Sequence, residues 1–350
     1  MTDTTFTSLE RVLTSLQQKE PDRVPFFLLV TMHGARELGM SIEEYYSKAE
    51  YMAEGQIRMR ERYGHDCLYG FSYASAELEA FGGKTFFFED GPPNGAAPII
   101  FSADDIDKLE KPCVLDQPSL TRVLDAQTLM KERIGDEAPI IGVVMSPFSL
   151  PVMQMGFEKY MDLILGEPDV LERLLAINEA FCIEWANAQL AAGATAICFF
   201  DPISSSTIIS PQQYRATGFK SAQRTIAKIN GPTATHFASG RCLPVINDLV
   251  ETKTAMIAAS VDEDLGDVKG AANGRLTVFG NLNGIEMRRW TPDQTETIVK
   301  DAIAKAARGG GFILSDNHGE IPWQVPESVL DAVSQAVHKW GRYPLDWIGN

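Results

Sequence analysis

Short apolar segments alternate with longer amphipathic segments along this chain, and this alternation limits the possible folds more than any other feature. Regular strand–helix alternation predicts a parallel sheet with helices packed on it. Eight such units in 350 residues predict one (β/α)8 TIM barrel domain over residues 1–350. An open doubly wound sheet is the competing architecture. The eight predicted strands are Val24–Val30, Cys67–Phe71, Ile140–Met145, Ala196–Phe200, Thr233–Phe237, Met256–Ser260, Thr277–Phe279 and Phe312–Leu314.

Helical periodicity fills the intervals between these strands, and one insertion interrupts it. The segment Glu77–Asp104, after the second strand, contains an aromatic run followed by Asp90-Gly91-Pro92-Pro93. Such turn residues predict a small β-hairpin or lid outside the barrel. The predicted helices are Thr7–Lys19, Ile42–Tyr63, Leu120–Arg133, Val170–Ala192, Pro211–Ile229, Leu243–Thr252, Thr295–Ala307 and Glu327–Lys339.

The formal net charge of −16 argues against a nucleic-acid partner, because phosphate contacts need clustered basic side chains. It also disfavours an anionic membrane surface and suits a substrate that is small or carried by another protein. No apolar stretch reaches the length of a membrane span, and the N-terminus lacks a signal-peptide pattern. Five scattered cysteines are typical of reduced thiols, so we expect a cytoplasmic protein.

In a TIM barrel, the active site lies at the C-terminal ends of the strands. Polar residues at these predicted ends form a rim of His, Asp, Glu and Asn that suits metal binding or proton transfer. His236 and His318 occupy equivalent strand-end positions, although a lone strand-end histidine is often structural. Asp201 and Asp262 are alternatively helix N-caps, Glu77 is alternatively an exposed surface residue, and Tyr73 alternatively packs in the mouth.

Several motifs resemble the uroporphyrinogen decarboxylase superfamily. They are Arg23-Val24-Pro25 at the first strand, Gly280-Asn281-Leu282-Asn283 after the seventh, and Asn317-His318-Gly319-Glu320-Ile321-Pro322 near the end. Their order and spacing extend the resemblance over nearly the whole chain. The resemblance implies a TIM barrel with one of two activities.

The decarboxylase branch of this superfamily uses an arginine-rich segment after the first strand and an aspartate after the second. Here Arg36 is the basic residue of the segment from Phe26 to Arg36, and Tyr73 occupies the position of the aspartate. His318-Gly319 does match this branch. Holding a tetrapyrrole with many carboxylates without those arginines is physically unfavourable.

The second branch contains methylcobamide:coenzyme M methyltransferases and related corrinoid-dependent enzymes. Glu77-Leu78-Glu79-Ala80-Phe81-Gly82, Ser146-Pro147-Phe148 and Asp201-Pro202 are similar to this branch. Its thiol-using members bind zinc through His-x-Cys after the fifth strand and a Cys after the eighth. Here His236 is followed by Ala238, and the last loop offers His318 and no Cys. The resemblance therefore leaves two alternatives, zinc held by nitrogen and oxygen ligands or no metal.

We therefore expect a corrinoid-dependent methyltransferase that demethylates a small donor, such as a methyl ether or a methylamine-like compound. A separate corrinoid protein would be its partner, and a homodimer is possible. The alternatives are a decarboxylase-like enzyme, supported by Arg36, Arg241 and His318, and a non-catalytic binding protein. The catalytic candidates are His236, His318, Asp201 and Tyr73; the substrate-binding candidates are Glu77, Phe148, Asn281 and Arg241; the candidate zinc ligands are His236, His318 and Glu77.

Overall fold

Seven parallel strands form one curled sheet in the computed structural model, which describes residues 6–349. Its strands follow one another in chain order, so each neighbouring pair is joined by a helical crossover. Register brings the strand ends together, because Phe200 pairs with both Met145 and His236. The strands are β1 (Leu68–Tyr69), β4 (Ile140–Met145), β5 (Ala196–Phe200), β6 (Thr233–His236), β7 (Met256–Ala258), β8 (Thr277–Phe279) and β9 (Phe312–Ile313).

The predicted first strand, Val24–Val30, is not a regular strand, so the expected number of eight is wrong. The segment still lies between the two ends of the sheet. Phe26 forms a parallel bridge with Leu314, and its carbonyl accepts a hydrogen bond from the Asp66 amide at 2.8 Å. A continuous ladder fails because Pro25 has no N–H and the Phe26 amide donates instead to the Asp66 carboxylate at 3.0 Å.

Sixteen α-helices lie within the described residues, and two of the predicted helices are broken. The predicted helix Pro211–Ile229 is divided at Thr217, whose hydroxyl donates to the Gln213 carbonyl at 2.6 Å. The predicted helix Ile42–Tyr63 is divided at Ser47, whose hydroxyl donates to the Glu44 carbonyl at 2.7 Å. Such hydroxyl bonds compete with the helical pattern. The helices are α1 (Ser8–Leu16), α2 (His33–Leu38), α3 (Ile42–Tyr46), α4 (Ala49–Tyr63), α5 (Ser75–Ala80), α6 (Ala103–Asp107), α7 (Pro118–Ile134), α8 (Pro151–Met155), α9 (Phe157–Gly166), α10 (Pro168–Ala191), α11 (Pro211–Ala216), α12 (Gly218–Ile226), α13 (Ile246–Glu251), α14 (Leu265–Ala272), α15 (Pro292–Ala306) and α16 (Glu327–Trp340).

Within the predicted insertion, two short strands pair antiparallel: β2 (Thr85–Phe86) and β3 (Asn94–Gly95). The insertion contacts residues from two other parts of the chain. Phe87 packs edge-on against Tyr73 with ring centroids 5.4 Å apart. The Gln324 amide donates to the Asp90 carbonyl at 2.7 Å.

The N-terminal helix α1 covers the end of the sheet opposite to the C-terminal ends of its strands. A capping box between Thr7 and Glu10 starts this helix, and its Val12 packs with the apolar side chains inside the curl. A small apolar cavity of about 60 Å³ lies between α1 and the inside of the curled sheet; Leu13, Phe27 and His236 are among its lining residues. Within residues 6–349, the helices lack either the length or the apolar character needed to cross a membrane.

Candidate active site at the strand ends

His236 ends β6 and lies between two aromatic rings, those of Phe200 and Phe279, at centroid distances of 5.3 and 5.8 Å. The side chain is almost fully buried. Its Nδ1 accepts a hydrogen bond from the Ala238 amide at 2.9 Å, whereas its Nε2 has no partner within residues 6–349. Burial, together with the nearby His318, lowers the pKa of His236 to about 3. The imidazole is therefore neutral at pH 7.

The loop after β9, residues 315–321, crosses the C-terminal end of the sheet and covers His236. Asp316 pairs with Leu282 after β8, and the Ile321 amide donates to the Leu29 carbonyl at 2.9 Å. The Tyr69 hydroxyl donates to the Gly319 carbonyl at 3.3 Å. We call this segment the β9 loop. It brings His318 to the same end of the sheet as His236.

Gly319 is the point where the β9 loop lies directly on the two site rings. Its φ of +91° is one that side-chain-bearing residues rarely adopt, and an added Cβ would lie 2.7 Å from the Phe200 ring and 3.6 Å from His236 Cε1. Glycine therefore satisfies both the backbone conformation and the close approach at this position.

His318 is half-buried, and the neighbouring Asn317 orients its ring. In the amide orientation that satisfies both of its groups, Asn317 donates to His318 Nδ1 at 2.7 Å and to the Leu282 carbonyl at 3.1 Å. Burial lowers the pKa of His318. A neutral His318 whose Nδ1 accepts a hydrogen bond carries its proton on Nε2.

Two acidic residues of the β9 loop, Asp316 and Glu320, were not among the sequence-based candidates. Asp316 Oδ2 accepts from the His318 and Gly319 amides at 2.8 and 3.1 Å, and Oδ1 has no partner in the described chain. Burial raises the pKa of Asp316 to about 7 and that of Glu320 to about 8, against opposing backbone hydrogen bonds. Their position two residues before and after His318 in the sequence could have identified them as site candidates.

Glu77 lies on α5 and is buried, which excludes the exposed surface position considered above. Its Oε1 accepts from the Met145 amide at 3.0 Å and from Trp185 Nε1 at 3.2 Å. Its Oε2 has no partner in the described part of the chain. Burial raises the pKa of Glu77 to about 8, although these hydrogen bonds oppose the shift.

Asp201 and Tyr73 both make contacts that hold neighbouring segments. Asp201 follows β5 and accepts from the Ser146 and Ser149 hydroxyls at 2.5 and 2.7 Å, and burial raises its pKa. Tyr73 donates to Glu79 at 3.2 Å, and burial, followed by the charge of Glu79, raises its pKa to about 12. Their catalytic roles stay predictions.

The remaining substrate-binding candidates lie in different surroundings. Phe148 is fully buried in the hydrophobic core, where it packs on Tyr160. Asn281 donates to the Ser260 carbonyl at 2.8 Å, and Arg241 is exposed. Their roles in substrate binding also stay predictions.

The predicted zinc ligands do not assemble into a metal site. Across residues 6–349, no group of three or more His, Cys, Asp or Glu side chains is arranged to hold a metal ion. Hydrogen bonds occupy one atom of each of two candidates: Nδ1 of His236 accepts an amide N–H, and Oε1 of Glu77 accepts from Trp185 and Met145. Zinc binding is therefore not shown, and the assignment of His236, His318 and Glu77 as metal ligands stays a prediction.

Known proteins resemble this chain over nearly its full length. A protein-family model described as Uroporphyrinogen decarboxylase (URO-D) matches residues 7–340. The methylcobamide:CoM methyltransferase MtaA of Methanosarcina barkeri is 27% identical over 340 residues, covering 94% of this chain and 97% of that protein. A uroporphyrinogen decarboxylase of Idiomarina loihiensis is 24% identical over 363 residues, covering 95% and 96%. The solved structure of a methyltransferase from Methanosarcina mazei, 21% identical, aligns with a TM-score of 0.85 and covers 96% of this chain and 99% of that one, which shows a shared fold.

Proposed function

The chain belongs to the uroporphyrinogen decarboxylase family, and we propose that, within this family, it is a methyltransferase of a corrinoid-dependent system. It moves a methyl group between a small methylated donor and a corrinoid carried by a separate protein. Full-length similarity to a methylcobamide:CoM methyltransferase supports the reaction class. Similarity to decarboxylases is comparable in extent, so the chemistry of the site has to discriminate between the two activities.

The observation that carries the proposal is the lack of free basic side chains in the segment Phe26–Arg36. From Phe26 to Ala35 the sequence has no arginine or lysine, and Arg36 is held against Trp323, donating to its carbonyl at 2.6 Å with the guanidinium 4.2 Å from the ring centroid. Asp316 and Glu320 add buried carboxyl groups to the same end of the sheet. Raised pKa values favour the neutral form of these carboxyl groups. A substrate with many carboxylates would therefore lack cationic partners here, whereas a small neutral donor needs none.

Zinc does not fit the residues present. The soft sulfur ligands of the resembling enzymes are replaced here by Ala238 and His318, and the nitrogen and oxygen atoms that remain are not arranged as a ligand group in the described residues. Soft ligands favour zinc at such a site. No step of the proposed reaction is therefore assigned to a metal ion held by this chain.

The proposal is tested by methyl transfer to a reduced corrinoid. The purified protein is incubated with cob(I)alamin and a panel of methyl ethers and methylamines, and formation of methylcobalamin is followed by absorbance. We expect protein-dependent methylation from at least one donor. Conversion of uroporphyrinogen without methyl transfer would establish the lyase alternative, and the absence of both reactions would support the non-catalytic alternative.

A further inference from the structure

The two ring nitrogens of His236 have different surroundings, and the difference fixes the position of the proton. Nδ1 accepts the Ala238 N–H at 2.9 Å, so Nδ1 must be unprotonated. The backbone of Ala238 has a φ of +52°, a left-handed conformation that is uncommon for alanine. This turn brings the amide back to the ring, and the neutral imidazole therefore has its proton on Nε2.

This tautomer is unsuited to metal binding. A neutral imidazole binds a metal through the nitrogen that lacks a proton. In His236 that nitrogen is Nδ1, whose lone pair is already occupied by an amide. His318 has the same arrangement, since Asn317 donates to its Nδ1 at 2.7 Å. Both strand-end histidines are therefore hydrogen-bond donors through Nε2.

The Nε2–H of His236 is buried without an acceptor among the described residues. An unsatisfied buried donor costs about 1–3 kcal/mol, so such groups are usually matched by a water or a ligand. Phe200 and Phe279 flank the ring, and the β9 loop covers it. An acceptor reaching Nε2 would therefore be held in a largely apolar, water-poor environment.

We propose that His236 donates its Nε2–H to the oxygen of the bound methyl donor, and that this donor is a methyl ether. The inference rests on the proposed function and narrows its substrate class. An ether oxygen keeps lone pairs that accept a hydrogen bond, whereas the nitrogen of a tetraalkylammonium ion has none. Hydrogen-bond donors aimed at an oxygen on which charge develops stabilise the transition state.

The reaction balances without a metal held by this chain. The methyl C–O bond breaks, and its electron pair stays on the oxygen. The cobalt of the partner's reduced corrinoid supplies the electron pair of the new Co–C bond and is formally oxidised from Co(I) to Co(III). The leaving alkoxide or aryl oxide is hydrogen-bonded to His236 and takes a proton from solvent on release.

Two substitutions separate a hydrogen-bond donor from a metal ligand. His236→Gln places an amide N–H near the position of Nε2. His236→Asn leaves an oxygen near the position of Nδ1 for the Ala238 amide but has no group at Nε2. With methoxybenzene-type donors and cob(I)alamin, we expect His236→Asn to lower kcat/KM by about 10²–10³ and His236→Gln to retain much more activity. His338→Asn, an exposed histidine on α16, is the matched control and should match the parent.

Equal loss in the Gln and Asn variants, with circular dichroism and melting temperature unchanged, would overturn the donor role. Transfer from tetramethylammonium and not from methyl ethers would overturn the substrate class. Stoichiometric zinc in protein purified without added metal, whose removal by a chelator abolishes activity, would overturn the metal-free assignment.

A measurement independent of activity separates this inference from the proposed function. Nitrogen-15 NMR of histidine-labelled protein, assigned with the His236→Asn variant, should show the Nε2–H tautomer of His236; an Nδ1–H tautomer would contradict the inference. If the parent protein methylates no corrinoid from any donor, the proposed function fails, while the tautomer is still determined by NMR.

Discussion

Arg23 and Asp66 form a buried ion pair, with Nη1 of the arginine 2.6 Å from Oδ2 of the aspartate. Arg11 adds a second guanidinium at 2.7 Å. The same carboxylate accepts the amide of Phe26, in the segment that lies between the two ends of the sheet. The Arg23-Val24-Pro25 motif thus has a structural role, because it anchors this segment where a regular ladder is missing.

We predict that Asp66→Asn destabilises the protein by about 3–5 kcal/mol, because it leaves the buried Arg23 guanidinium without its counter-charge and leaves Arg11 paired with Asp22 alone. The measurement is the free energy of unfolding in urea. Glu54→Gln is the matched control, since Glu54 also pairs with two arginines, Arg58 and Arg133, but on the surface. That change should cost no more than about 1 kcal/mol; equal effects of the two substitutions would contradict the structural role.

The pKa of Glu77 predicts how stability depends on pH. Burial raises this pKa from 4.5 to about 8, so between these values the folded protein holds a proton that the unfolded chain has released. Stability therefore falls as pH rises from about 4.5 to about 8, by up to roughly 1.4 kcal/mol for each pH unit in this window. Glu77→Gln removes the titration and should flatten this part of the urea-unfolding profile measured from pH 5 to 9. An identical slope in the parent and the variant would show that Glu77 is ionised in the folded state.

Gly319→Ala should disturb the cover over His236. The added methyl group would overlap the Phe200 ring at 2.7 Å and enforce an unfavourable φ, so we expect a loss of about 1–3 kcal/mol and reduced methyl transfer. Gly82→Ala is the matched control, because Gly82 has a nearly identical φ of +89° with no atom within 4 Å of the added Cβ. Thermal unfolding and activity of both variants distinguish overlap from backbone strain; equal losses would leave strain as the sole cause.

We predict that the protein does not decarboxylate uroporphyrinogen at an appreciable rate. The family resemblance implies that Tyr73 replaces the decarboxylase aspartate, and the Tyr73 ring is buried between Tyr46 and Phe87. The segment from Phe26 to Ala35 supplies no cationic side chain for the substrate's carboxylates. Chromatography of porphyrins after incubation is the measurement, with a genuine decarboxylase as the positive control. Formation of coproporphyrinogen at ordinary enzymatic rates would refute this prediction.

Strand positions were predictable where an uninterrupted apolar run forms the strand. Ile140–Met145 and Ala196–Phe200 have the predicted bounds. Val24–Val30 has a similar pattern, but it does not form a regular strand. Pro25 has no N–H to donate, and the Phe26 amide donates to the side chain of Asp66, 40 residues away. No local pattern reveals such a long-range competitor for a backbone amide.

The candidate site was predictable to a different extent. The strand-end positions of His236 and His318 follow from the alternation of elements. The partnership of Glu77 with Trp185 does not, because it joins residues 108 apart. The shifted pKa values of Asp316 and Glu320 arise from burial of their side chains when the β9 loop folds onto the sheet, which composition and spacing do not encode. The hydrogen bond that occupies His236 Nδ1 depends on a single backbone turn at Ala238.

The cavity beneath α1 has a consequence for the response of the molecule to hydrostatic pressure. Unfolding eliminates internal voids and thereby reduces the volume of the system, typically by on the order of 20–100 mL/mol. The cavity of about 60 Å³ between α1 and the inside of the sheet contributes to that change, so compression favours separation of α1 from the sheet. An apolar cavity of this kind also admits xenon, which would oppose that effect by filling the space.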